Sequence, residues 1–395
     1  MKPLLALEDA QERLLALVKP GEVETVPVAD ALNRYLASPL PALRTQPAYP
    51  LSAMDGWAVR QADMPGPWKV IGESAAGHPA HVAVEASEAA RISTGAILPQ
   101  GSDMVVVQED CTVDGTTLSF HGEPPSPLGR HVRQRGLDFE EGAEVLHAGA
   151  KVTPAALALA ISSGYAKLPV FRKPKIVVID SGDELVAAGD PLVDGQIPAS
   201  NGPMLCALLS VMPCDVTLAG PVPDDLETIV ATLESARDAD LIVTSGGASV
   251  GDHDLMRPAL EKVGAALDFW SVAMKPGKPI MVGQRGDQTI IGLPGNPVSS
   301  FVTAHLFALP FVRALLGASR ALPTYSIARV LSDLPSTGKR AEFLRATQKH
   351  DGVEPVSVQD SGALLPLARA DALIFRAPFS KAACAGTEIQ FIRIG

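Results

Sequence analysis

Lys175-Ile176-Val177-Val178-Ile179 runs directly into Asp180-Ser181-Gly182-Asp183-Glu184-Leu185, an apolar, β-branched run that ends in an acidic turn. Such a run, too short for a helix and bounded by turn residues, predicts a buried strand. Downstream, 203–212 predicts a helix, 215–218 a strand, 225–236 a helix, 241–244 a strand and 253–263 a helix. Strands at 279–282 and 289–292 follow, then Leu293-Pro294-Gly295-Asn296-Pro297 and a last helix. Strands alternating with helices imply a parallel sheet covered on both faces. Residues 173–319 are therefore expected to form a doubly wound, mostly parallel α/β domain. In such sheets ligands bind beyond the carboxyl ends of the strands, and here those ends carry glycines and carboxylates.

The flanking sequence has other rhythms. Leu7, Ala10, Leu14 and Leu17 stand at helical spacing, and 22–28 alternates like a short strand. A proline-rich stretch at 39–50 breaks the pattern. From 51 to 134 the apolar runs are short and bounded by Gly, Pro and Asp, as in small β-domains. Residues 137–168 read as a return to helix, clearest at 154–163 with a proline near its start. The tail from 321 shows no convincing helix but alternates, as in Glu388-Ile389-Gln390-Phe391. The expected fold is thus α/β multidomain. Residues 1–50 with 137–172 form a discontinuous helical and linker domain, 51–136 a β-rich insertion and 320–395 a small C-terminal β-domain around the α/β unit.

With 395 residues, 47% of them hydrophobic and 19% charged, the chain is long and apolar enough for several packed cores. A formal charge of −11 argues against the broad basic surface that nucleic-acid binding needs. An anionic ligand must instead be held locally, by a few amides, lysines or a bound cation. Cys111, Cys206, Cys214 and Cys384 show neither a CxxC pair nor a zinc spacing, which suits a reduced, cytoplasmic protein. The first residues carry Glu8, Asp9 and Glu12 among leucines, unlike a signal peptide. The apolar stretch 306–316 is interrupted by Pro310 and Arg313, so no membrane span is expected.

Several segments carry chemistry. Ser245-Gly246-Gly247-Ala248-Ser249-Val250-Gly251-Asp252 lies between a strand and a helix, where glycines let a ligand approach the backbone and helix-start amides accept an anion; an ordinary βα turn has the same composition. Lys275-Pro276-Gly277-Lys278-Pro279 sets two ammonium groups about a turn stiffened by prolines. A solvated loop would look similar. Asp55, Asp138, Glu184, Asp224 and Asp254 fall in turns, as hard oxygen ligands for Mg²⁺ beside a phosphate would, although most turn carboxylates are solvated or cap helices. Thr94, in Arg91-Ile92-Ser93-Thr94-Gly95, offers a hydroxyl to a phosphate. His253 has no second histidine at metal spacing.

Six segments in order resemble one family. Ser52-Ala53-Met54-Asp55-Gly56-Trp57-Ala58-Val59-Arg60, Arg91 to Gly95, Ser181 to Leu185, Ser245 to Gly251, Lys275 to Pro279 and Leu293 to Pro297 stand in the sequence of the molybdopterin molybdenumtransferases. Arg340-Ala341-Glu342-Phe343 and Ser361-Gly362 extend the resemblance into the tail, a region also related to gephyrin. It implies Mg²⁺-dependent cleavage of adenylylated molybdopterin, with AMP released and molybdate placed on the two dithiolene sulfurs. By the same resemblance Asp55, Thr94, Asp138, Glu184, Asp224, Asp254 and Lys275 are catalytic, with Asp138 and Glu184 toward the metal. Ser181, Gly182, Ser245, Gly246, Gly247, Ser249, Gly251, Lys278, Pro294, Gly295, Asn296 and Pro297 bind substrate. A homodimer is implied, with transient contacts to a molybdopterin adenylyltransferase and to molybdoenzyme acceptors. Three positions depart from the pattern: Ser271 replaces a basic residue, Asp180-Ser181 stands where Ser-Thr is common, and Leu137 replaces an acidic residue. A cofactor-holding scaffold and the adenylyltransferase itself are the alternatives. The retained carboxylates with Lys275 argue against the first, and the extra domains against the second.

Overall fold

The computed structural model describes residues 4–127, 129–246 and 255–394. At its centre lies a six-stranded sheet of β1 (Lys175–Ser181), β2 (Asp215–Val222), β3 (Leu241–Ser245), β4 (Ala266–Ser271), β5 (Pro279–Arg285) and β6 (Gln288–Leu293), in the order β2-β1-β3-β6-β5-β4. The first four strands in that order are mutually parallel. β5 and β4 extend the sheet in antiparallel pairs. β4 was not anticipated in the sequence; it completes the edge as an antiparallel neighbour of β5.

Strand alternation sorts the core into two layers. Ile176, Val178, Leu241, Val243, Ile291 and Leu293 face one side, where α1 (Leu7–Leu15), α3 (Asn201–Leu209) and α6 (Pro297–Leu315) pack on them. Ile179, Ile242 and Ile290 face the other, under α4 (Leu226–Ser235) and α5 (Met256–Lys262). The expected α3 and α5 are present with shifted ends. Of the segment read as the start of α5, residues 253 and 254 lie outside the described residues.

Continuity of α6 corrects the sequence reading that Pro310 and Arg313 interrupt the apolar run. The helix absorbs Pro310 through a π turn at Ala304–Ala308. Proline has no N–H to donate to the carbonyl four residues back, that of Leu306. The side chain of Gln11 supplies the missing donor, Nε2 to Leu306 O at 2.8 Å, from α1. By length and composition α6 is able to cross a membrane, but 83% of its most apolar window is buried inside the protein. Its apolarity serves the core.

Residues 56–120 contain a second six-stranded sheet, matching the β-rich expectation for this stretch. Residues 137–168 are less helical than expected. Only α2 (Pro154–Ser162) is a helix there, while Glu144–Leu146 pairs with Leu40–Pro41, and Lys167–Phe171 pairs with Val23–Pro27. The C-terminal sheet orders Met274–Lys275, Ala341–Lys349, Ala372–Arg376, Glu388–Arg393 and Ser326–Arg329, with Gly352–Pro355 paired to Ala341–Lys349. It also holds a short helix, α7 (Leu364–Ala368), which the tail's alternation did not foretell. Its edge strand Met274–Lys275 is borrowed from the chain between β4 and β5, so the α/β unit and the tail share a sheet.

Candidate active site

The carboxyl ends of β1, β3 and β6 meet at one rim, and the turns leaving them build a small cleft of about 110 Å³. Ser181, Glu184, Ser245, Gly246, Gly295 and Pro297, all expected at the site, line it, and so do Asp180, Ser200 and Asn201, which were not expected there. Gly182 lies close under the Glu184 carboxylate in this turn. Its N–H donates to Val222 O, tying the turn to the end of β2. Asp180 anchors α3, accepting the Gly202 N–H at Oδ2 over 2.9 Å, and burial pushes its carboxyl above the ordinary range. That anchoring accounts for an aspartate where Ser is common. Its burial was not visible in the sequence, which placed it at the start of an acidic turn.

Asp224 stands beside this cleft, its N–H bonded to Asp183 Oδ1 at 2.9 Å. Partial burial, then the nearby Asp183 and Glu184 charges, raise its carboxyl pKa. Crowded carboxylates of this kind are hard donors short of positive charge. Among the described residues, however, no three His, Cys, Asp or Glu side chains are grouped to hold a metal by themselves.

A second, larger cleft of about 600 Å³ opens on the other side of the β6–α6 turn. Lys275, Lys278, Ser299, Arg340, Glu342 and Ser361 line it, with Arg345 at its wall. Lys275 is held by backbone pairing in register with Glu342, not by the turn alone. Gly277 packs the turn onto α6: it sits at φ +93°, and a Cβ there would lie 2.3 Å from Thr303 Cγ2. Arg345 is buried and donates to the carbonyls of Val358, Asp360 and Ala363, which shapes the loop carrying Ser361. A lone arginine in the apolar alternation Phe343-Leu344-Arg345-Ala346 is the signal that would have found it.

Pro297 lines the first cleft and Val298 the second, so the turn Pro294 to Pro297 divides them. Pro294 is buried, Gly295 and Asn296 exposed. Asp55 and Thr94 lie elsewhere, on the 56–120 sheet and its approach. The Thr94 N–H donates to Asp55 Oδ1 at 2.6 Å and holds that carboxyl below the usual range. Asp138 is exposed, with its N–H on Gln46 O. Neither cleft is lined by any of these three. Gly247, Ser249, Gly251 and Asp254 lie outside the described residues.

The same fold is found in known proteins. Residues 5–164 match the MoeA N-terminal region (domain I and II), 178–314 a probable molybdopterin binding domain, and 328–394 the MoeA C-terminal region (domain IV). The molybdopterin molybdenumtransferase of Haemophilus influenzae is 35% identical over 364 residues, covering 91% of this chain and 90% of that one. The chain belongs to the molybdopterin molybdenumtransferase family. The Bacillus subtilis molybdopterin molybdenumtransferase is 31% identical over 410 residues, covering 99% and 94% of the two chains. The crystal structure of the molybdopterin biosynthesis MoeA protein from Pyrococcus horikoshii OT3 superposes with a TM-score of 0.85 at 26% identity, over 99% of this chain and 100% of that one. As a member of this transferase family, the protein has its role in molybdenum cofactor biosynthesis.

Proposed function

We propose that the protein cleaves adenylylated molybdopterin, releases AMP and places molybdate on the two dithiolene sulfurs. The observation that carries this reading is the pair of clefts of opposite character on either side of one turn, acidic where Asp180 and Glu184 stand and cationic where Lys275, Lys278, Arg340 and Arg345 stand. Two anions that must react need separate but adjoining holds. Lys275 and Lys278 offer point charges to an oxyanion, and Arg340 adds a planar donor fork. The bond broken is the phosphoanhydride, by water adding across it so that AMP and the pterin phosphate part. The two thiols then give up their protons as one molybdate oxygen leaves as water, and Lys275 would offset charge on the departing phosphate or on molybdate.

Mg²⁺, when bound, neutralises the phosphoanhydride oxygens. Glu184 is the residue of the first cleft that would hold it, with Asp138 as the second carboxylate. Two carboxylates suit this ion, which keeps several waters and takes phosphate oxygens as its remaining ligands. Asp183 and Asp224 add negative potential nearby. Since Asp55, Thr94 and Asp138 line neither cleft, the working form is read as a homodimer, in which a two-fold partner contributes these three residues to each site. Contacts with a molybdopterin adenylyltransferase and with acceptor molybdoenzymes would be transient. Four free cysteines suit a cytoplasmic setting.

The test is direct. Purified protein is incubated with adenylylated molybdopterin, molybdate and Mg²⁺, and AMP and active cofactor are measured. Both should appear together and both should stop on chelation. AMP formation indifferent to chelator, or no AMP at all, would remove the reading.

A further inference from the structure

The side-chain amide of Asn201 is half used. Its Nδ2 donates to the Gly295 carbonyl at 2.7 Å and ties the start of α3 to the turn between the clefts. Only the NH₂ end of an amide can donate to a carbonyl, so this bond fixes which end faces the turn. The other end, Oδ1, is buried and has no hydrogen-bond partner among the described residues. Asn201 itself belongs to the wall of the first cleft. Native proteins seldom leave an enclosed amide oxygen unpaired unless a water, an ion or a ligand completes it.

Its surroundings narrow what that ligand presents. The charged groups of the first cleft, Asp180 and Glu184, are acceptors, and one of the two Asn201 amide N–H donors is spent on the Gly295 carbonyl. An acceptor wall suits an edge made of adjacent donors. The aminopyrimidinone ring of a pterin has such an edge, an exocyclic amino group beside a ring N–H. Adenine instead presents its amino group next to a ring nitrogen with a lone pair, which would face the acceptors and be repelled. We infer that Asn201 is a substrate-reading residue, its Oδ1 accepting an N–H from the pterin edge. The inference rests on the reading that this cleft receives a pterin, and it adds how the ring is recognised.

The experiment pairs a change in the protein with a change in the ligand. The full chain and its Asn201→Ala variant are titrated, with Mg²⁺ present, against pterin-6-carboxylate, its 2-oxo analogue in which a carbonyl replaces the amino group, and AMP. Wild type should prefer the pterin by about tenfold or more, as sites that pair a ligand's N–H do. Asn201→Ala should weaken pterin binding by a similar factor, nearly erase the preference, and leave AMP binding unchanged. If Asn201 only clamps the turn, all three ligands weaken alike and the preference survives, which overturns the inference. Selective loss of AMP binding overturns it as well. Should the variant melt early, wild-type preference alone still decides: equal binding of pterin and 2-oxo analogue defeats the role of Asn201 while the proposed reaction stands. Absence of any pterin binding by wild type defeats both.

Discussion

Lys275 and Lys278 share a turn but not a surrounding. Lys275 is fixed by strand pairing with Glu342, whereas Lys278, at the entrance to β5, is tied through its carbonyl, which accepts the Val272 N–H at 2.8 Å. A preorganised charge contributes more to a transition state than a mobile one. Lys275→Ala is therefore expected to reduce AMP release by tens-fold or more, and Lys278→Ala by less, with melting temperatures unchanged. Equal, small losses would show two solvated lysines. His305 is a residue of another kind. Burial in α6, with the Arg313 charge nearby, pulls its pKa down to about 4, from an ordinary value near 6.5. The folded protein holds it neutral, so the unfolded chain binds the extra proton below about pH 6.5. Its contribution is intact above that pH and is lost as pH falls through about 4, by up to about 3 kcal/mol. Thermal melts between pH 7.5 and 4 should show a fall that is shallower in His305→Leu. Parallel curves for the two proteins would exclude His305 as the source.

At the scale of elements, α6 joins sequence and structure most instructively. Its apolar face was readable, but its length was not, because proline ends most helices and the compensating donor lies on α1, 295 positions away. Gln11→Leu would leave the Leu306 carbonyl buried and unpaired at a cost of about 1–3 kcal/mol. Urea unfolding should then show a lower midpoint with an unchanged slope; an unaltered midpoint would mean that water or a rearranged turn replaces the amide. The same contrast runs through the fold. β1, β3 and β6 were legible because strands buried on both faces leave unbroken apolar runs such as Lys175 to Ile179. Met274–Lys275 was not, since a two-residue strand exists only through its partner Ala341–Glu342. At the site, the acidic turn with Glu184 and the glycine-rich turn from Ser245 were expected from the rule that strand ends bind ligands, whereas Ser181 and Gly295 came from the family resemblance. Asp180, Asn201 and Arg345 depend on tertiary burial, which local pattern does not encode.

At the scale of the whole molecule, the proposed site is divided between chains. If Asp55, Thr94 and Asp138 serve the clefts of a two-fold partner, Asp55→Ala and Lys275→Ala damage different halves of one composite site. Mixing the two inactive proteins under subunit exchange should restore about a quarter of wild-type activity, because half of the dimers are mixed and each has one intact site. Continued inactivity after mass measurement has confirmed mixed dimers would defeat the shared site, and an active monomer in sedimentation would do so more directly. The bond from Gln11 to Leu306 bears on a different stage in the molecule's life. On the ribosome α1 is made before α6, and at about 5–20 residues per second its partner carbonyl emerges only about 15–60 s later. Throughout that interval the α6 segment against which the Leu7, Ala10 and Leu14 face packs is incomplete. A helix made this long before its packing partner carries its apolar face uncovered by α6 through that interval.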